Sequence, residues 1–90
     1  MREGMSYHAY MIKSASTNRH YYGHTSDLSE RIKSHNSAQN RFTRSKGPWE
    51  LVGFVECKSK SEAVRIELKL KKMKNPVRAL NWLKVHGVVL

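Results

Sequence analysis

The chain has one cysteine, Cys57, and only two prolines, so it cannot form an internal disulfide or a cysteine-based zinc cluster. The fold must stand on its hydrophobic core, and Cys57 reads as a small buried apolar residue. No apolar run approaches the roughly 20 residues needed to span a bilayer. The amino terminus also lacks the basic-then-apolar layout of a signal peptide. A cytoplasmic, intracellular protein is therefore expected, with no membrane partner. Acidic residues are scarce as well: seven Asp and Glu stand against seventeen Lys and Arg, a formal net charge of +10. An excess of that sign and size points to a polyanionic partner, with nucleic acid as the leading class. Ninety residues fit one domain, 1–90, with one modest core.

What the chain does contain is ordered punctuation. Tyr7 to Lys13 has strand composition, Ser14 to Asn18 is a polar turn cluster, and Arg19 to Gly23 returns as a second strand. Thr25-Ser26-Asp27 offers capping groups ahead of Leu28 to His35, where Leu28, Ile32 and His35 repeat at helical spacing. Asn36 to Pro48 is polar, cationic and aperiodic, and it reads as a long loop. Trp49 to Cys57 is a third strand, which Leu51-Val52 marks as buried on both faces and central in the sheet. Ser59 and Glu62 match a capping box for a helix whose apolar stripe is Ala63, Ile66, Leu70 and Met73. Asn75-Pro76 stops that helix, and Val77 to Val85 forms a last short one. The order β-β-α-β-α-α predicts an α/β (α+β) fold, a small three-stranded, mostly antiparallel sheet flanked by helices.

Several polar residues fit this scaffold poorly. Glu67 falls beside the apolar stripe, where a buried carboxylate needs a cation, a metal ion or a hydrogen-bond donor. The plainer reading pairs it with Lys71, four residues on. Tyr10 and Tyr21 lie on the two arms of the hairpin and can meet on one surface, although tyrosines in strands ordinarily pack. A phenol accepts a proton only if cations or a metal lower its pKa, and this chain has cations to spare. Arg31 and His35 share one helix face and can point toward the tyrosines. Arg31 suits charge stabilisation on a pentacovalent phosphate, and His35 suits proton transfer. Lys13, Arg41, Arg44 and Lys46 are expected to contact nucleic-acid backbone. Phe42 stands among them either to stack on a base or to pack in the core.

Together these residues resemble the GIY-YIG endonuclease family. The resemblance rests on Tyr10, then Tyr21-Tyr22-Gly23, then Asp27-Leu28 with Arg31, His35-Asn36, and Glu62-Ala63 with Glu67. It covers about residues 6 to 75. It is closest to small stand-alone bacterial-type members, which share the stretch Phe42-Thr43-Arg44-Ser45 followed by Pro48-Trp49-Glu50-Leu51, and it is similar to the incision domain of excision-repair nucleases. Two departures stand out: the first triplet is His8-Ala9-Tyr10, and Tyr22 takes the central aliphatic place of the second. Neither Asn75 nor Asn81 is assigned to the site. The resemblance implies a metal-dependent endonuclease hydrolysing phosphodiester bonds in DNA, structure- or damage-directed, with RNA as an alternative substrate. Tyr10, Tyr21, Arg31, His35 and Glu67 would be catalytic, with Gly23 structural. Glu67 would hold one Mg2+ or Mn2+, and the protein would be a monomer or weak dimer. The competing expectation is a binding module on the same scaffold that cuts weakly or not at all.

Overall fold

A computed structural model describes residues 6–37 and 46–90. Strands β1 (Tyr7–Ser14) and β2 (His20–Thr25) form the antiparallel hairpin, with Tyr10 opposite Gly23 and Ile12 opposite Tyr21. Asn18 makes the turn at φ 61°, a conformation that asparagine tolerates better than most side chains. The buried Ser14 hydroxyl accepts from the backbone amides of Ser16 and Thr17, which satisfies the turn's donors locally. Helix α1 (Leu28–His35) begins where the Asp27 carboxylate accepts from the Glu30 amide at 3.1 Å.

Strand β3 (Trp49–Cys57) pairs antiparallel with the other edge of β1, placing Phe54 opposite Tyr10. Helix α2 (Lys60–Met73) is capped by Ser59, whose hydroxyl accepts from the Glu62 amide at 3.1 Å. The Glu62 carboxylate reaches back one residue further than the capping box requires, to the Lys58 amide at 2.8 Å. Asn75 then caps helix α3 (Pro76–His86), which contains the expected last helix and starts with proline at its first position. Among the described residues no helix is long and apolar enough to cross a membrane.

The sheet has four strands in the order β2-β1-β3-β4, one more than expected, because β4 (Val88–Val89) pairs with Gly53 and Phe54. A two-residue strand has no periodicity to read, and only its tertiary partner creates it. Gly87 lets the chain reach that partner: a Cβ there would meet the Phe54 carbonyl oxygen and come within 2.9 Å of Val55 Cβ.

Alternation along β1 divides the interior between the two faces of the sheet. Ala9 and Met11 pack with Val55, Cys57 and the α2 and α3 residues Ala63, Leu70, Ala79 and Leu83. Tyr10, Ile12 and Trp49 pack on the other side with Leu28 and Ile32 of α1. Leu51 and Val52 go one to each cluster, as the broken alternation of that strand suggested. Fully burying side chains such as Leu70 and Leu83 stabilises the α2–α3 layer by about 1.5–3 kcal/mol each.

Candidate active site

Four elements, β1, β2, α1 and α2, converge near the middle of the hairpin. Tyr10, Tyr21, Gly23, His24, Arg31, His35 and Glu67 line one cavity of about 150 Å3. The structure therefore brings together the whole set Tyr10, Tyr21, Arg31, His35 and Glu67, together with Gly23. Of the expected backbone contacts, Lys13 and Lys46 are exposed and neither lines this cavity. Arg41 and Arg44, like Phe42, lie outside the described residues. Asn75 and Asn81 do not line it either, and Asn75 is occupied in capping α3.

The register explains the tyrosine. Tyr10 lies opposite Gly23, and its ring fills the space a side chain there would take: a Cβ on residue 23 would come within 2.5 Å of the Tyr10 Cζ and closer still to its hydroxyl oxygen. With its ring pressed on the neighbouring strand, the Tyr10 hydroxyl reaches His35 Nε2 at 2.7 Å, at the far end of α1. The Tyr21 ring meets His35 edge-on with centroids 5.1 Å apart, and that contact holds the imidazole from a second side.

His35 is 1% exposed, and burial, with Arg31 adding to it, pushes its pKa down to about 4. The imidazole is thus neutral near pH 7, and its Nε2 accepts the hydrogen bond that the Tyr10 hydroxyl donates. The phenol moves the other way. Burial raises its pKa well above the ordinary value, Tyr21 and Glu67 add to the rise, and Arg31 alone opposes it. Cations were expected to lower this pKa, and Arg31 does act in that direction, but at this position desolvation wins.

Glu67 reaches the cavity from α2 on the other side of β2. Its Oε2 accepts from Lys71 Nζ at 2.7 Å and its Oε1 from His24 Nδ1 at 2.6 Å. Burial alone would raise its pKa, but the hydrogen bonds and charge of Lys71 and His24 outweigh burial and hold the carboxylate below its ordinary range. The plainer pairing with Lys71 is therefore present, and it coexists with exposure to the shared cavity. Each oxygen retains a second lone-pair direction. Among the described residues no three His, Cys, Asp or Glu side chains form a cation cage. This donor set suits a cation that needs one carboxylate, water and an external phosphate.

His24 was missed in the sequence. It lies two residues from Tyr22 on the same face of β2, toward α2, and only that packing brings it to Glu67. A second cavity of about 290 Å3 continues from the first past His24 and Arg31 to Thr25, Ser26 and Lys60, all of them hydroxyl or cationic groups that suit phosphate.

Residues 6–81 match the family model described as the GIY-YIG catalytic domain. The chain is 42% identical over 52 residues to a UPF0213 protein of Halalkalibacterium halodurans, covering 57% of this chain and 55% of that relative, little more than half its length. It is 34% identical over 68 residues to a UPF0213 protein of Halobacterium salinarum, covering 74% of this chain and 87% of the relative. The solution NMR structure of a UPF0213 protein from Bacillus halodurans superimposes with a TM-score of 0.50 at 32% identity, covering 84% of this chain and 85% of that one.

Proposed function

Because the chain belongs to the GIY-YIG catalytic domain family, a family of nucleases, we propose that it is a metal-dependent endonuclease hydrolysing phosphodiester bonds in DNA, directed to structured or damaged sites. The observation that carries this reading is the single cavity shared by Tyr10, Tyr21, Arg31, His35 and Glu67. A bystander surface has no reason to collect a phenol, an imidazole, a guanidinium and a carboxylate from different elements.

Glu67 would hold one magnesium or manganese ion, which when bound supplies Lewis-acid polarisation of the phosphate and stabilises the leaving oxygen. The chain's own residues handle the proton. Tyr10 takes a proton from the attacking water while its own passes along the 2.7 Å bond to His35 Nε2, so the phenol need never become a free phenolate. At rest this transfer runs uphill, from a phenol that burial holds well above its ordinary pKa to an imidazole pushed down to about 4. The resting site is therefore closed to it. Arg31 is the residue that lowers the phenol's pKa, and it also faces the charge that develops on the phosphate. Tyr21 orients the imidazole.

The test is incubation with branched, nicked, single-stranded and plain duplex DNA in magnesium or manganese, in parallel with Glu67→Ala and Tyr10→Phe. Cutting of at least one substrate, lost in both variants, is the expected result. Failure to cut any of them, or variants as active as the parent, refutes the reading. One observation favours the alternative of a binding module: each Glu67 oxygen already accepts a hydrogen bond, from His24 and from Lys71, so a cation would share the carboxylate with two donors. Salt-sensitive binding without cleavage would select it.

A further inference from the structure

Helices α2 and α3 enclose an open groove of about 660 Å3, in which Arg65, Lys69, Lys72 and Arg78 surround the indole of Trp82. It shares no residue with the cavity of Tyr10 and Glu67. Helical geometry separates the two further. Arg65 and Lys69 each lie two residues from Glu67, about 200° round the helix, and Lys72 lies about 140° round. The groove and the catalytic cavity thus flank α2 on opposite sides.

Three features specify the occupant. Among the described residues none of the four cations forms an ion pair with a carboxylate; Glu56 and Glu62 meet Arg65 and Lys69 only in an adjoining cavity that shares Trp82, and the charges lining the groove itself are all positive. Its side chains are hydrogen-bond donors or apolar, with no carboxylate, amide or hydroxyl acceptor. Phosphodiester oxygens need only donors, whereas an acidic peptide would bring backbone N–H groups that the groove leaves unsatisfied. The third feature is the partly exposed Trp82 ring, with Lys69 Nζ 5.4 Å from its centroid and the His86 imidazole stacked 4.2 Å from it. Lys69 is exposed on a flexible stem and can yield that position to a base while keeping its charge near the adjoining phosphate. An aromatic plane recruits bases only from a strand whose bases are unstacked.

We propose that the α2–α3 groove is a second nucleic-acid site, which takes a single-stranded segment: Trp82 stacks on a base while Arg65, Lys69, Lys72 and Arg78 hold the flanking phosphates. This deepens the nuclease reading and rests on it for one point, that the strand in the groove continues into the bond being cut. The substrate class that follows is DNA with a single-stranded tail or gap beside the cleaved position.

The test is equilibrium binding of a fluorescein-labelled oligothymidylate in EDTA, followed by anisotropy and by tryptophan emission over a range of salt. The parent is compared with a Lys69→Glu, Lys72→Glu double variant and with Arg78→Glu, all three positions being exposed. The parent should bind with quenching of Trp82, since the other tryptophan, Trp49, is 5% exposed. The double variant should bind at least tenfold more weakly and lose the quench. Its dependence of log affinity on log salt should flatten by about 1.4, at roughly 0.7 for each phosphate that is no longer neutralised. Arg78→Glu should weaken binding in the same direction. Unchanged affinity and slope in both variants overturn the proposal, and so does a polyglutamate peptide that quenches Trp82 as strongly as DNA does. The two readings fail separately. Absence of cleavage in magnesium or manganese, with binding and the Trp82 quench intact, counts against the nuclease alone.

Discussion

Acidification should destabilise this protein through one buried imidazole. His35 is held at a pKa of about 4, whereas the same side chain in the unfolded chain titrates near 6.5. Between those values the unfolded state binds the extra proton and the folded state resists it, so stability falls as pH falls. The contribution is fully present above pH 6.5 and is lost as pH drops toward 4. Linkage gives about 2 kcal/mol lost between pH 7 and 5 and about 3 kcal/mol by pH 4, a large share of the 5–15 kcal/mol that folded domains typically have. The measurement is urea unfolding from pH 7 to 4 on the parent and on His35→Gln, which can accept a hydrogen bond but does not titrate. The variant should start less stable and then show a shallower decline, with the gap between the curves closing by about 3 kcal/mol. The difference isolates His35 from Glu67, whose lowered pKa also makes stability fall in acid and does so in both proteins. Parallel curves would refute the reasoning, for then His35 would be solvated or charged in the folded state. The same pKa forbids a step near pH 6.5 in any cleavage profile assigned to this residue.

Other substitutions test the geometry more locally. Gly23→Ala should cost about 1–3 kcal/mol by overpacking against the Tyr10 ring, and it should abolish cleavage by tilting the hydroxyl off His35. A urea midpoint equal to the parent's would show that the ring has room. Ser59→Ala removes the α2 cap and should cost about 1 kcal/mol in the same assay. Asn36→Ala should cost about 1–3 kcal/mol, because the Asn36 amide both donates to the Trp49 carbonyl at 3.0 Å and accepts from the Trp49 amide at 2.6 Å. EDTA should stop any cleavage without shifting the melting temperature, since a site with one carboxylate is not expected to support the fold; a large drop in melting temperature would point to a tightly bound structural ion.

Much of the fold was readable because its signals are local. The Ser59 and Asp27 caps, the turn before Asn18 and the Asn75-Pro76 stop all act within four residues, and the elements begin and end close to where they indicate. What escaped depends on partners distant in sequence. The strand β4 exists only against Gly53 and Phe54. His24 becomes part of the site only because α2 lies over β2 and brings Glu67 to it. The protonation balance between Tyr10 and His35 escaped for the same reason. Composition announces abundant cations, whereas the pKa of a phenol depends on how much of it is buried, and that is set by the Gly23 register and the position of α1. Glu67 was legible as an anomaly, a carboxylate beside an apolar stripe, although its two donors were only half foreseen.

The division of the interior into two clusters has a consequence for partly unfolded forms. Tyr10 belongs to the cluster beneath α1, and His35 reaches it from the end of that helix, while Glu67 is carried by α2, which covers the opposite cluster. Loosening of α1 would remove the proton acceptor, and loosening of α2 would remove the carboxylate, so neither half-open form retains a complete site. Local opening events normally cost less than global unfolding and are correspondingly more frequent. Here loosening of either α1 or α2 takes the constellation apart. A chain emerging during synthesis, or fraying under heat, therefore assembles this cavity only once both α1 and α2 have closed on the sheet.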